Sequence, residues 1–151
     1  MAQILVEFKN KLNYVWENTN ITMQLFAQKI AMFIGAYSKY KQITLGPADL
    51  IGLTSFELLP VLPAGQYYEF KINAELIAGT TPYDADVTVF YGTEVVDGIL
   101  LTSATSLVSL ISSDEEEVEF SQNVTLQPGG PITVGNGTLT LKIWYIIHKI
   151  G

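Results

Sequence analysis

Residues 69–77, EFKINAELI, alternate without a break. Phe70, Ile72, Ala74 and Leu76 fall on one side of an extended chain, and Glu69, Lys71, Asn73 and Glu75 on the other. Successive side chains of a strand leave opposite faces, so this segment is a strand with one face on a core and one in water. After the turn-rich GTTPYDA a second run of the same kind covers residues 86–91. The stretch 43–91 is strand, turn, strand almost throughout, and the rest of the chain is arranged around it.

The closing segment extends the pattern. Leu139, Leu141, Ile143, Tyr145 and Ile147 share one face of a strand and are uniformly apolar, while Thr138, Thr140, Lys142, Trp144 and Ile146 share the other. The first set is expected on the core. The second should face water, yet it ends in a tryptophan and an isoleucine, which predicts that Trp144 and Ile146 are covered by another subunit or by an N-terminal arm. Asn136-Gly137 predicts a hairpin between residues 132–134 and this strand. Residues 95–98 (VVDG) suggest a turn, and residues 101–113 fit a short helix or a strand. Pro60 makes the strand over residues 55–62 an edge or a bent strand. Strands at short spacing with no βαβ alternation predict a mainly β fold, a jelly-roll-like antiparallel β-sandwich over residues 42–151.

Residues 1–41 differ in kind. Residues 4–40 contain no proline and one glycine, whereas all six prolines and the other eleven glycines come later. Leu5, Phe8, Leu12 and Val15 recur at helical spacing, and after the break at residues 18–20 Phe26, Ile30, Phe33 and Tyr37 make a second stripe. Two amphipathic helices follow as the expectation, either packed on the β body or leaving it as an arm. The arm is favoured because seven of the seventeen aromatic residues sit in the first forty positions, more apolar surface than a free two-helix unit leaves in water.

The charge is split in the same place. Residues 1–41 carry five lysines against two glutamates, a balance of +3; residues 42–151 carry three lysines against thirteen acids, a balance of −10. Such a body repels polyanions, and the chain has no arginine, the usual fork for phosphates and base edges, so nucleic acid is not expected as a partner. No cysteine is present, which removes disulfides and thiolate metal sites. No secretory leader is expected at the N-terminus, and the apolar run over residues 21–37, broken by Gln24, Gln28 and Lys29, is too impure to span a membrane.

Chemistry has little to stand on. His148 is the only histidine and no nucleophile motif accompanies it, so a structural or merely exposed role is expected. Residues 114–117 (DEEE), or Asp84 and Asp86 with Glu94, offer carboxylates to a hard cation, but without the spacing of a known loop. Gly135-Asn-Gly137 precedes a strand where a phosphate loop needs a helix. Tyr67, Tyr68, Tyr83 and Tyr91 either stack sugars or fill core and interface positions, the commoner roles. No cofactor, metal or catalytic residue is expected.

One family resemblance runs over residues 43–147. It is carried by Asp49, Leu50 and Leu53; by Leu59, Pro60, Pro63, Ala64 and Gly65; by Gly79, Thr80, Thr81 and Tyr83; by DVTVFYG at 86–92; and by GTLTLKIWYII at 137–147. This pattern resembles a β-sandwich module of tailed-phage virions, of the head-fibre or capsid-decorating type. The resemblance implies a virion structural protein that is not an enzyme: a homo-oligomer, taken as a trimer, with capsid or other virion proteins as partners. The arm residues Leu5, Phe8, Leu12, Val15, Phe26, Ile30, Phe33 and Tyr37, with Trp144 and Ile146, are its candidate contacts. A surface-displayed glycan-binding or adhesin module is the alternative.

Overall fold

The computed structural model describes residues 39–113 and 118–150. The chain divides into two units, Met1–Ser38 and Lys39–Gly151, and all that follows concerns the second. β1 (Lys39–Leu45) begins three residues before the boundary expected after residue 41. Its N-terminal half pairs with Tyr145, Trp144 and Ile143, so residues 39–41 belong to the sheet.

A single helical turn, α1 (Pro47–Leu50), follows, with proline preset for its start and the Asp49 carboxylate accepting the Gly46 N–H at 3.0 Å. Then come β2 (Phe56–Leu59), β3 (Gln66–Ile77), β4 (Val87–Tyr91), β5 (Glu94–Ile99), β6 (Leu107–Ser112), β7 (Val124–Pro128) and β8 (Thr138–Lys149). They form two four-stranded antiparallel sheets, ordered β1-β8-β3-β6 and β2-β7-β4-β5. Within them β1 pairs with β8, β2 with β7, β3 with β6 and β4 with β5. Those are the pairings of one long hairpin whose tip is the β4–β5 turn. Rolling that hairpin brings β8 against β3 and β7 against β4, which closes a jelly roll, the expected sandwich.

Alternation decides the core. In β3 and β8 Phe70, Ile72, Ala74 and Leu76 meet Tyr145, Ile143, Leu141 and Leu139 in register, and all but the half-buried Tyr145 lie within 2% of complete burial. The opposite sheet supplies Val87, Val89, Val124 and Leu126, each fully buried. A bulge in β2 between Glu57 and Leu59 turns two consecutive residues, Leu58 and Leu59, inward. It sits on an edge strand ended by Pro60, as the proline requires.

Two loop expectations change and one open choice closes. Residues 95–98 are strand, because the turn comes earlier: Tyr91 pairs with Glu94, and Gly92 at φ +60° opens a two-residue type II′ turn. Residues 107–112 take the strand option as β6. Asn136-Gly137 makes no hairpin, since residues 132–134 form no strand to pair with β8. The Asn136 side chain is used elsewhere: its Oδ1 accepts the Thr81 N–H at 2.8 Å, and its Nδ2 donates to Thr80 Oγ1 at 2.8 Å. Asn136 thereby binds two loops at one end of the sandwich. A Cβ at Gly79 would collide with Asn136 there, and one at Gly135 (φ +136°) with the Tyr83 ring.

Candidate binding face

Three of the four candidate tyrosines take the commoner, core role. Tyr68, Tyr83 and Tyr91 are each 3% exposed and belong to the core, so only Tyr67 of the four is available to a ligand. Their hydroxyls are structural. Tyr68 donates to Pro60 O at 2.8 Å and Tyr83 to Gly137 O at 2.6 Å. The Tyr91 hydroxyl, reaching across from the other sheet, accepts the Tyr68 N–H at 2.6 Å. That last bond has a cause in the topology. β6 pairs with β3 only from Lys71 onward, so the earlier part of β3 needs other partners on that side. Ser113 bonds Phe70, Tyr91 bonds Tyr68, and Ser121 N donates to Gln66 O at 2.8 Å. Burial, then the neighbouring Tyr145, Tyr91 and Glu57, pushes the Tyr68 phenol up to about 12. Burial likewise raises Tyr83 and Tyr91.

Asp84, Asp86 and Glu94 do not come together as one cluster. The Asp84 carboxylate accepts the Thr133 hydroxyl and the Thr133 N–H. These bonds, the hydroxyl's first, hold its pKa below the usual carboxylate value. Asp86 Oδ1 accepts the Thr102 N–H at 2.9 Å. Glu94 lies at the turn end of the β4–β5 hairpin, opposite Tyr91, about 16 Å along the strand from Asp86 at ~3.3 Å per residue. Among the described residues no group of three or more His, Asp or Glu side chains could hold a metal ion, and no helix is long and apolar enough to cross a membrane. The acidic run at residues 114–117 lies outside the described residues, as do Leu5, Phe8, Leu12, Val15, Phe26, Ile30, Phe33 and Tyr37.

What the strands do assemble is a row of rings on the outer face of the β1-β8-β3-β6 sheet. Trp144 stands opposite Tyr40 of β1, ring centroids 5.2 Å apart and tilted at 45°. Lys71 of β3 flanks it on the other side. Two residues along β8, Ile146 is 8% exposed although it lies outside the core between the sheets. Two further, His148 stacks on Tyr67 at 4.9 Å, and Phe120 meets Tyr67 edge-on at 5.4 Å. His148 Nε2 also contacts Glu69 Oε2 at 2.7 Å, so the lone histidine is held by a ring and a carboxylate on β3. From Trp144 to His148 the row runs about 13 Å, four residues at ~3.3 Å each.

Polar groups border it: Gln42, whose Oε1 accepts the Tyr40 hydroxyl at 2.8 Å, and the Lys142–Glu75 ion pair at 3.0 Å. Toward the β6 edge the same face exposes Val108 and Leu110 at 61% and 77%. Aromatic planes with a polar rim are the make-up of a contact surface, for a protein or for the apolar face of a sugar. Trp144 and Ile146 were legible from their place in the alternation. Tyr40 was missed because it falls in the segment read as helical, and Phe120 because its alternation with Val118, Val124 and Leu126 points to a strand where the structure has a turn.

No family model matches the chain, and no curated protein does. Among solved structures it is similar to the N-terminal cellulose-binding domain of β-1,4-glucanase C from Cellulomonas fimi. The identity is 6%, the TM-score 0.31, with 73% of this chain and 79% of that one covered. A likeness of that size says nothing of what this chain binds.

Proposed function

We propose that this chain is a non-catalytic structural protein of a tailed-phage virion, a head-fibre or capsid-decorating subunit. Residues 1–38, read as a helical arm, attach it to a capsid or other virion protein, and the jelly roll is displayed as a homo-oligomer, a trimer by the resemblance. The observation that carries the reading is the outer face of the β1-β8-β3-β6 sheet. Its Tyr40, Ile77, Val108 and Leu110 are 49–77% exposed, while the core between the sheets is complete without them. Apolar groups that the fold does not need are what an assembly uses. Mass spectrometry of purified particles should find the chain beside capsid proteins; its absence from particles sinks the proposal. Deleting residues 1–38, which spares β1, should leave a soluble β body that no longer attaches.

The row Tyr40–Trp144–His148–Tyr67 favours a second reading, a glycan-binding module. A glycan array answers it: binding lost in both Trp144→Ala and Tyr67→Ala supports a sugar platform, and no binding by the unaltered protein removes it.

A further inference from the structure

Four strands end the two sheets: β1 and β6 in one, β2 and β5 in the other. An edge presents unpaired N–H and C=O groups, and proteins blunt such edges with charge, proline, bulges or shortness. Three of the four are blunted. β1 carries Lys39 and Lys41. β2 has four residues, a bulge and Glu57, and Pro60 follows it. β5 carries Glu94 and Asp97, with a register shift against β4. β6, Leu107–Ser112, reads LVSLIS and has no charge, no proline and no glycine. Its Val108 and Leu110 side chains are 61% and 77% exposed.

The direction of its free groups follows from one bond. Ser113 N–H donates to Phe70 O at 3.0 Å. In an antiparallel ladder alternate residues bond the same neighbour, so Leu107, Ser109 and Ile111 face β3, while Val108, Leu110 and Ser112 point their N–H and C=O away from it.

We propose that β6 pairs antiparallel with β6 of a second copy of this chain, about a two-fold axis at Leu110. Leu110 then lies opposite its own copy and Val108 opposite Ser112 of the other copy. All three outward-pointing residues are satisfied, and the two four-stranded sheets become one of eight. A self-paired edge suits this strand because it has no charge to set against itself. Antiparallel is the sense that fits, since β6 runs through Ser113 into four consecutive acids at residues 114–117. A parallel pair would set the two acidic runs side by side, whereas the antiparallel pair sends them to opposite ends. The contact closes, because each copy uses its one unblunted edge. It does not rest on the virion reading, and a two-fold contact would equally join two three-fold assemblies.

The test uses the full chain, which has no cysteine of its own. A hydrogen-bonded antiparallel pair holds its Cα atoms about 5.5 Å apart, within disulfide range. Leu110→Cys should therefore cross-link to a covalent dimer under mild oxidation. Val108→Cys, about 13 Å from its copy at ~3.3 Å per residue, should not. Leu110→Pro removes an N–H that β3 does not use, so the β spectrum and melting temperature should hold while the sedimenting mass falls by half. Because the β bodies carry like charge, the association should strengthen with salt. Equal cross-linking at both cysteines, or an unaltered protein that sediments like Leu110→Pro, overturns the pairing. So does another protein occupying the edge of a chain that is itself monomeric.

Discussion

The two faces of the β1-β8-β3-β6 sheet are built from the same strands and follow different rules. On the inner face Phe70, Ile72, Ala74, Leu139, Leu141 and Ile143 are all within 1% of complete burial. A slip of one residue would turn that whole set into water, so the pattern permits one register. On the outer face Tyr40, Lys142, Trp144, Ile146, Leu110 and His148 mix rings, charges and aliphatics with no period that packing would impose. The inner face is therefore specified by folding. The outer face is left for contacts the fold itself does not require, which is why a functional argument belongs there.

The sharpest way to break this contrast is a pair of truncations. Phe70→Ala, at a site 1% exposed, should lose about 3–5 kcal/mol in urea unfolding. Ile77→Ala, on the outer face of the same strand and 63% exposed, should stay within about 0.5 kcal/mol. Equal losses would mean the outer face is as much a part of the folding core as the inner one.

A middle-sized effect tests the polar half of the interior. Tyr91→Phe leaves the Tyr68 N–H without its 2.6 Å acceptor, which should cost about 1–3 kcal/mol. The same cluster sets an alkaline limit. The folded-state pKa of Tyr68 is raised to about 12 from 10.0, so native chains hold that proton after unfolded ones release it. Stability should be level below about pH 10 and fall as pH rises toward 12, with less fall in Tyr68→Phe. Asp84 works in the opposite sense. Its pKa is lowered, so its contribution is present above the ordinary carboxylate range and is lost as pH falls through its folded value. Asp84→Asn should flatten the acid side of a stability profile.

The same contrast explains what could be read from the residues alone. Period-two alternation put Phe70 through Leu76 and Leu139 through Ile143 on the core because burial leaves no other arrangement. It also picked out Trp144 and Ile146 as apolar residues on the wrong side. It could not anticipate Asn136, whose dipeptide with Gly137 is a hairpin signal by local chemistry. The loop that holds Thr80 and Thr81, distant in sequence, claims that side chain instead. Carried back from Phe70, the same alternation does separate Tyr67 from Tyr68, since Tyr68 shares the parity of Phe70 and Ile72. The buried hydroxyls of Tyr68, Tyr83 and Tyr91 depend on contacts between sheets or end loops, which no local pattern encodes. Phe120 joins the ring row from a turn, although its alternation with Val118, Val124 and Leu126 is that of a strand residue.

Trp144→Ser probes the border between the two regimes. The ring is half-buried and rests against Tyr40 at 5.2 Å, so a single chain should lose only about 1–2 kcal/mol. If the face is a contact surface, the larger change will be in assembly, with the sedimentation profile moving toward smaller species while the β spectrum is kept. A stability loss as large as that of Phe70→Ala, with assembly unchanged, would place Trp144 in the folding core instead.

The smallest expected effect is at the ion pair bordering that face. Lys142 Nζ and Glu75 Oε1 are 3.0 Å apart, with side chains 32% and 34% exposed. They sit diagonally across β8 and β3, since Lys142 pairs with Asn73 and Glu75 with Thr140. Water reaches both groups, which screens the attraction, and ordering two long side chains offsets much of what remains. Glu75→Gln keeps an amide oxygen able to accept from Lys142 and from the Asn73 Nδ2, which lies 3.4 Å from Glu75 Oε1. The substitution should therefore cost no more than about 0.5 kcal/mol, and the difference from the unaltered protein should shrink further in high salt. A loss beyond about 1 kcal/mol that persists in salt would mean this pair is desolvated as a buried pair would be. The outer face would then contribute to folding in the way the inner one does, and the division between the two faces would fail at its most polar point.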